Sequence, residues 1–197
     1  MRPSDTLSVA HSSQLCESGI YYEQGWKAQT TQKIDALIEL ARGLSASGPV
    51  TCADVDVTVF RHFEDEVLEL MEKSGTEYIF QDDGTAGICS GFMIFSRRDT
   101  AIEVLRSMRA RLPEVDSDQK ALNQVIAPSS AVLLPHHLAW TYGLHATGKW
   151  KPGITPNSPP GIAAHHANWT RGVENKMLLL RAVLAEQTSP RTQHRDQ

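Results

Sequence analysis

Long hydrophobic runs are missing from this chain. No apolar stretch approaches the roughly 18 residues that a membrane span requires, and the first residues lack the apolar core of a signal peptide. Paired cysteines are missing as well. The three that occur, Cys16, Cys52 and Cys89, are widely spaced and include no Cys-X-X-Cys, which argues against a thiolate zinc site and a disulfide framework. Cys52 and Cys89 lie inside apolar runs and read as buried free thiols of a reducing compartment. Nor is there an excess of positive charge. A formal net charge of -4 argues against a general nucleic-acid binder with its basic face, while leaving room for a local basic pocket. A Gly-X-Ser-X-Gly nucleophile elbow, a Gly-X-X-X-X-Gly-Lys phosphate loop and internal repeats are all absent. What remains is an ordinary globular composition, 41% hydrophobic and 21% charged over 197 residues, enough for one domain with a sheet covered by helices.

The stretch Pro49 to Phe60 stands out. Val50, Val55, Val57, Val59 and Phe60 favour a buried strand after the breaker Gly48-Pro49, yet Asp54 and Asp56 interrupt it. In a continuous strand both carboxylates would point to the same face. Two like charges so close repel each other unless a cation lies between them, and oxygen ligands of this kind suit Mg²⁺ or Mn²⁺. The plainer reading places one Asp beyond the strand end, solvated.

Around this stretch, strands and helices alternate. Thr31 can cap a helix through Ile34, Leu37, Ile38, Ala41 and Leu44. A second helix is expected over 61–73, closed by Gly75, and a third follows Asp99 until Pro113. Ser117 or Asp116 caps a fourth beginning Asp118-Gln119, and a last helix spans 173–186. Strands are expected over 77–81, 89–95, 131–134 and 161–165, with weaker beats at Leu7, Val9 and at Ile20-Tyr21-Tyr22. The Gly-, Pro-, Trp- and Tyr-rich segment 136–160 suits a surface region that shapes a pocket. This pattern argues a single α/β layered domain over 1–187, followed by a polar tail at 188–197.

Several residues could carry chemistry, and each also has a structural use. Gln81-Asp82-Asp83-Gly84 follows a strand, where loops of α/β sheets line the ligand crevice, but Asp-Asp-Gly is also good turn material. Asp118 and Gln119 open a helix, where a carboxylate satisfies free N–H groups and the helix dipole. His165 and His166 sit at a strand end and either could bind a metal, while Lys176 beyond Gly172 could meet a phosphate.

Read in order, Ala53-Asp54-Val55-Asp56, Gln81-Asp82-Asp83, Cys89-Ser90-Gly91-Phe92, Asp118-Gln119-Lys120-Ala121-Leu122-Asn123 and His166-Ala167-Asn168-Trp169 with Gly172 and Lys176 resemble a known pattern. It is that of nucleotide-diphospho-sugar transferases of GT-A type, nearest to glycosyltransferase family 77 and more distantly similar to glycogenin-like retaining enzymes. The resemblance spans about Trp26 to Leu180. It implies a mixed, mainly parallel sheet flanked by helices, with a shortened N-terminal nucleotide-binding half. It also implies transfer of a hexosyl or pentosyl group from a UDP-sugar, with retention, to a glycan, protein or small-molecule acceptor. By the same resemblance, Asp54, Asp56 and His166 would hold Mn²⁺ or Mg²⁺, and Asp54, Gly172 and Lys176 would meet the nucleotide. Gln81, Asp82, Ser90 and Gly91 would line the donor sugar. Asp118 and Gln119 would lie on its reacting face, where an oxocarbenium-like centre needs stabilising. Cys89 stands where the family pattern has Asn. The expected partners exclude nucleic acid and a membrane span. The expected location is cytoplasmic as the chain is written, and the Golgi lumen if an anchor precedes it.

Two rivals share the same residues. Asp54-Val55-Asp56-Val57-Thr58 also fits the Asp-X-Asp-X-Thr of haloacid-dehalogenase-like phosphatases, with Asp54 as nucleophile and Asp56 as acid/base. The other rival is a sugar-nucleotide-binding relative that has lost turnover.

Overall fold

The protein is described by a computed structural model that covers residues 6–11, 13, 15–16, 23–45, 47–145 and 149–189. The fold is mixed α/β, and its organising element is the eight-residue strand β4 (Ile88–Phe95), buried along its whole length. Alternation along a strand sends successive side chains to opposite faces, so β4 serves two cores. Met93 and Phe95 join one of them with Ile34 and Ile38 of helix α1 (Trp26–Gly43) and with Val104, Leu105 and Met108 of α3 (Arg98–Arg111). Phe92 and Ile94 join the other, with Val67 and Met71 of α2 (Glu64–Ser74) and with Leu134, Leu138 and Ala164.

Strand β4 lies between β1 (Val50–Ala53) and β3 (Tyr78–Asp82), antiparallel to both. A second sheet has the order β2 (Val57–Val59), β6 (Ala164–His166), β5 (Ala139–Trp140). In it β2 runs antiparallel to β6, and β5 runs parallel to β6. Trp140, Tyr142, Trp150 and Ile162 close a third core against Leu179 and Val183 of α6 (Val173–Thr188). Helix α4 (Asp118–Val125) packs beside α3, and the single turn α5 is Tyr142–His145.

Four expectations are altered. The stretch 50–60 is two strands rather than one: β1 ends at Ala53, Val57 N–H closes a turn on Asp54 C=O at 3.1 Å, and β2 enters the other sheet. Val55 is 94% exposed at the tip, while Asp56 beside it turns inward and is buried. The sheets are mixed, but their parallel part is limited to β5–β6 and one bridge, Phe80 to Leu133. The segment 131–134 contributes only that bridge, because Pro135 has no N–H to extend a ladder. Leu7 and Val9 are exposed and form no strand, while Ile20-Tyr21-Tyr22 lies outside the described residues.

The helices follow their start and stop signals closely. Gly75 is left-handed (φ 64°) and ends α2. Helix α1 starts at Trp26, ahead of Thr31, because Gly25 (φ 86°) leaves room for the Leu15 carbonyl, which would lie 1.9 Å from a Cβ there. Ser117 Oγ accepts the Lys120 N–H at 3.2 Å and caps α4, orienting Asp118 and Gln119 behind it. Ser117→Ala should therefore cost about 1 kcal/mol, read as a lower urea midpoint at constant slope. An unchanged midpoint would show that the cap contributes nothing.

Candidate functional site

Two sheets meet at the Asp54-Val55-Asp56 turn, and the site is built at that junction. The β2–β6 register pairs Val57 with His166, and Ala167 N–H donates to Asp56 C=O at 3.0 Å. These bonds hold the imidazole against the turn. His166 Nε2 lies 3.3 Å from Asp56 Oδ1, and one ligand atom from each of Asp54, Asp56 and His166 falls within 4.8 Å of the others. Gly91 forms the floor. A Cβ there would lie 2.4 Å from His166 Cε1 and 2.8 Å from Asp54 Oδ2, so only glycine lets both side chains close over β4.

The far side of the imidazole is also committed. His166 Nδ1 lies 2.7 Å from Gln81 Oε1, while Gln81 Nε2 donates to Thr141 Oγ1. The carbonyl end of that amide accepts a hydrogen from Nδ1 and turns Nε2 toward the carboxylates, as an outer partner of a metal-binding histidine does. Cys89 Sγ, at 3.8 Å, is the other neighbour of Nδ1. Alternation sends His165 the other way: its Nδ1 donates to Trp140 C=O at 2.9 Å, and burial pushes its pKa down to about 4.

Charge in the site is balanced by named pairs. Lys176 Nζ lies 2.6 Å from Asp56 Oδ2. Lys33 Nζ bridges Asp54 Oδ1 and Asp118 Oδ2, each at 2.7 Å, and donates to Ser90 C=O at 3.2 Å. Burial alone would lower the Lys33 pKa, but Asp118 and Asp54 outweigh it and hold the ammonium above its usual range. Burial likewise works against the Asp56 carboxylate, yet the His166 hydrogen bond and the charges of His166 and Lys176 keep it well below the usual range. For His166, burial is outweighed by the bond to Asp56, with Cys89 adding to it, and the pKa rises to about 10.

Two carboxylates and an imidazole converging in this way fit one divalent cation. Metal–oxygen distances of about 2.1–2.6 Å place ligand atoms up to about 4–5 Å apart across the ion, and mixed O/N donors suit Mn²⁺ or Mg²⁺. His166 would present Nε2, and Asp54 and Asp56 one oxygen each.

The other sequence-derived residues take separate places around this cluster. Ser90 is buried with its carbonyl on Lys33, and Gln81 is occupied at both ends of its amide. Gly172 (φ 82°) opens α6 and aims Lys176 at Asp56. Asp82 Oδ1 accepts the Gly84 N–H at 2.8 Å in a turn, whereas Asp83 is the buried acid. Asp83 Oδ1 accepts from Asn168 Nδ2 and Trp169 Nε1, and Oδ2 from Gln119 Nε2, all at 2.8 Å. A register shift between Phe80 and Gln81 breaks the alternation of β3 just ahead of both acids. Asp118 Oδ1 accepts the Gln119 N–H at 3.0 Å, leaving Oδ2 to Lys33. Lys33 escapes a reading of sequence, since a lysine on an amphipathic helix looks solvated. Its one signal is its place beside the buried stripe of Thr30, Ile34, Ile38 and Ala41.

No protein-family model matches the chain, and no curated protein does. Among solved structures it is similar to the galactosyltransferase LgtC in complex with donor and acceptor sugar analogs, at 12% identity over 79% of this chain and 67% of that one, TM-score 0.43. The glycosyltransferase GlyE of Streptococcus pneumoniae is similar at 12% identity and TM-score 0.45, over 75% of this chain and 43% of its own length. An active-site mutant of LgtC gives 9% identity and TM-score 0.48, over 79% of this chain and 67% of that one. At such distances the chemistry of the site rests on its own geometry.

The raised His166 pKa sets a pH dependence. A group protonated more readily in the folded state stabilises fully below its unfolded value near 6.5 and loses that contribution as pH rises toward about 10. The metal-free protein should lose thermal stability across that window, and His166→Gln should flatten the profile there. Equal slopes for both proteins would contradict the pairing.

Proposed function

We propose that this protein transfers a sugar from a UDP-sugar donor, with retention, using a divalent cation (Mn²⁺ or Mg²⁺) held by Asp54, Asp56 and His166. The observation that carries the reading is the convergence of these three side chains, bordered by two lysines and a buried Asp118. When bound, the cation would neutralise the departing diphosphate as a Lewis acid.

The chain's own residues have separable tasks in this reading. Lys176, on the first turn of α6 beyond Gly172, supplies a mobile positive charge for the diphosphate once the cation takes its place beside Asp56. Asp54 would meet the ribose of the nucleotide as well as help to hold the cation. Asp118 is fixed between Lys33 and the start of α4, so its carboxylate is already in place where positive charge develops on the sugar. Gln119, tied to Asp83, stands beside it on the reacting face. Gln81, Ser90 and Gly91 shape the donor-sugar end from beneath, and Asp82 borders it from the turn that Gly84 completes. The acceptor is a glycan, a protein or a small molecule. Among the described residues no helix is long and apolar enough to cross a membrane.

A phosphatase with Asp54 as its nucleophile would leave His166 and Lys176 without a task, although both lie against Asp56. Calorimetry with UDP in the presence of Mn²⁺ tests the reading. Asp56→Ala should abolish metal-dependent UDP binding. Lys176→Ala should weaken it about tenfold, the equivalent of a lost hydrogen bond to a charged group at about 1.5 kcal/mol. Unchanged affinity in both variants would overturn the site as drawn.

A further inference from the structure

Trp169 has a conformation and a setting that the proposed donor site does not use. It is 48% exposed, although large aromatic side chains are usually covered. Its backbone is left-handed at φ 62°, a conformation that strains a bulky L-residue and persists only where the surroundings enforce it.

Those surroundings are specific. The indole Nε1 donates to buried Asp83 Oδ1 at 2.8 Å. At the other end, the Trp169 Cβ and ring root press on Gly143 in α5, where an added Cβ would lie 2.3 Å from the Trp169 Cβ. The side chain is thus held at both ends and its single polar group is occupied, so the surface still open to solvent is aromatic carbon. A rigid aromatic plate of this kind gives contact area at little entropic cost. Its electron-rich face suits the C–H face of a pyranose ring.

The position of the plate decides which ligand it serves. Asp83, which holds the Trp169 N–H through one oxygen, holds Gln119 Nε2 through the other. Gln119 adjoins Asp118, placed above at the reacting face of the donor sugar. The side chains that would meet the nucleotide, Asp54 and Lys176, pair instead with Lys33 and Asp56 and make no bond to this network among the described residues. We infer that Trp169 is the stacking platform for a pyranose ring of the acceptor, which makes the acceptor class a glycan or glycoside. The inference deepens the transferase reading above and rests on it.

The test uses the full chain with diamagnetic Mg²⁺ and UDP present, and lactose and methyl pyranosides as probes. In protein labelled with 5-fluorotryptophan, one fluorine resonance is assigned to Trp169 by its loss in Trp169→Phe. Saturating probe should shift that resonance and leave those of buried Trp140 and Trp150 in place. Saturation-transfer signals from the bound sugar should persist in Trp169→Phe and fall at least fivefold in Trp169→Leu and Trp169→Ala, with UDP affinity unchanged in all three. Failure of the wild type to bind UDP with either Mg²⁺ or Mn²⁺ would overturn the transferase reading, and this inference with it. Intact UDP binding overturns the platform alone if no probe shifts the Trp169 resonance, or if Trp169→Leu binds sugar as well as wild type. A fall in UDP affinity rather than in sugar binding would assign the ring to the nucleobase and contradict the inference.

Discussion

The contact between Asp56 and His166 depends on one pairing, that of β2 with β6. Opposing Val57 to His166 in that ladder brings a residue from early in the chain to within 3.3 Å of one more than a hundred positions later. A one-residue slip would send His166 to the opposite face, where His165 now points at Trp140 C=O. The Asp-Val-Asp turn, the Gly91 floor and the Gln81 bond on the far side of the ring all take their meaning from that register.

Around it the charges balance. Asp54, Asp56 and Asp118 are matched by Lys33, Lys176 and a protonated His166, each pair in direct contact. A buried carboxylate left without a partner would cost several kcal/mol, and Asp56 and Asp118, the two buried ones, each have a cationic partner in direct contact. In the proposed reading, His166, Asp54 and Asp56 would hold a divalent ion where the His166 proton and the Lys176 ammonium now lie against Asp56. That exchange would couple metal binding to proton release and free a lysine for the diphosphate.

Much of this could be read in the residues, and the failures have identifiable causes. Helices announced by periodicity and caps form close to where they were expected, as with Ser117 before α4 and Gly75 after α2. Strands were less legible. The alternating valines of 50–60 hid a turn, because each half pairs with a different sheet and pairing partners are distant in sequence. At the site, Asp54, Asp56 and His166 were legible as potential ligands and are close in space. Lys33 was not, since its burial follows from the packing of α1 over β4 and α3 and not from its neighbours in the chain. The burial of Asp83 was not legible either, because its partners Gln119, Asn168 and Trp169 are distant in sequence.

The claim at the centre is that one ion contacts an imidazole nitrogen of His166 together with the two carboxylates of the turn. Pulsed electron paramagnetic resonance on the Mn²⁺-loaded protein reads that contact directly. The account predicts a nitrogen-14 modulation from a coordinated imidazole in the wild type, absent in His166→Gln. Bound Mn²⁺ with no nitrogen coupling in the wild type would contradict it.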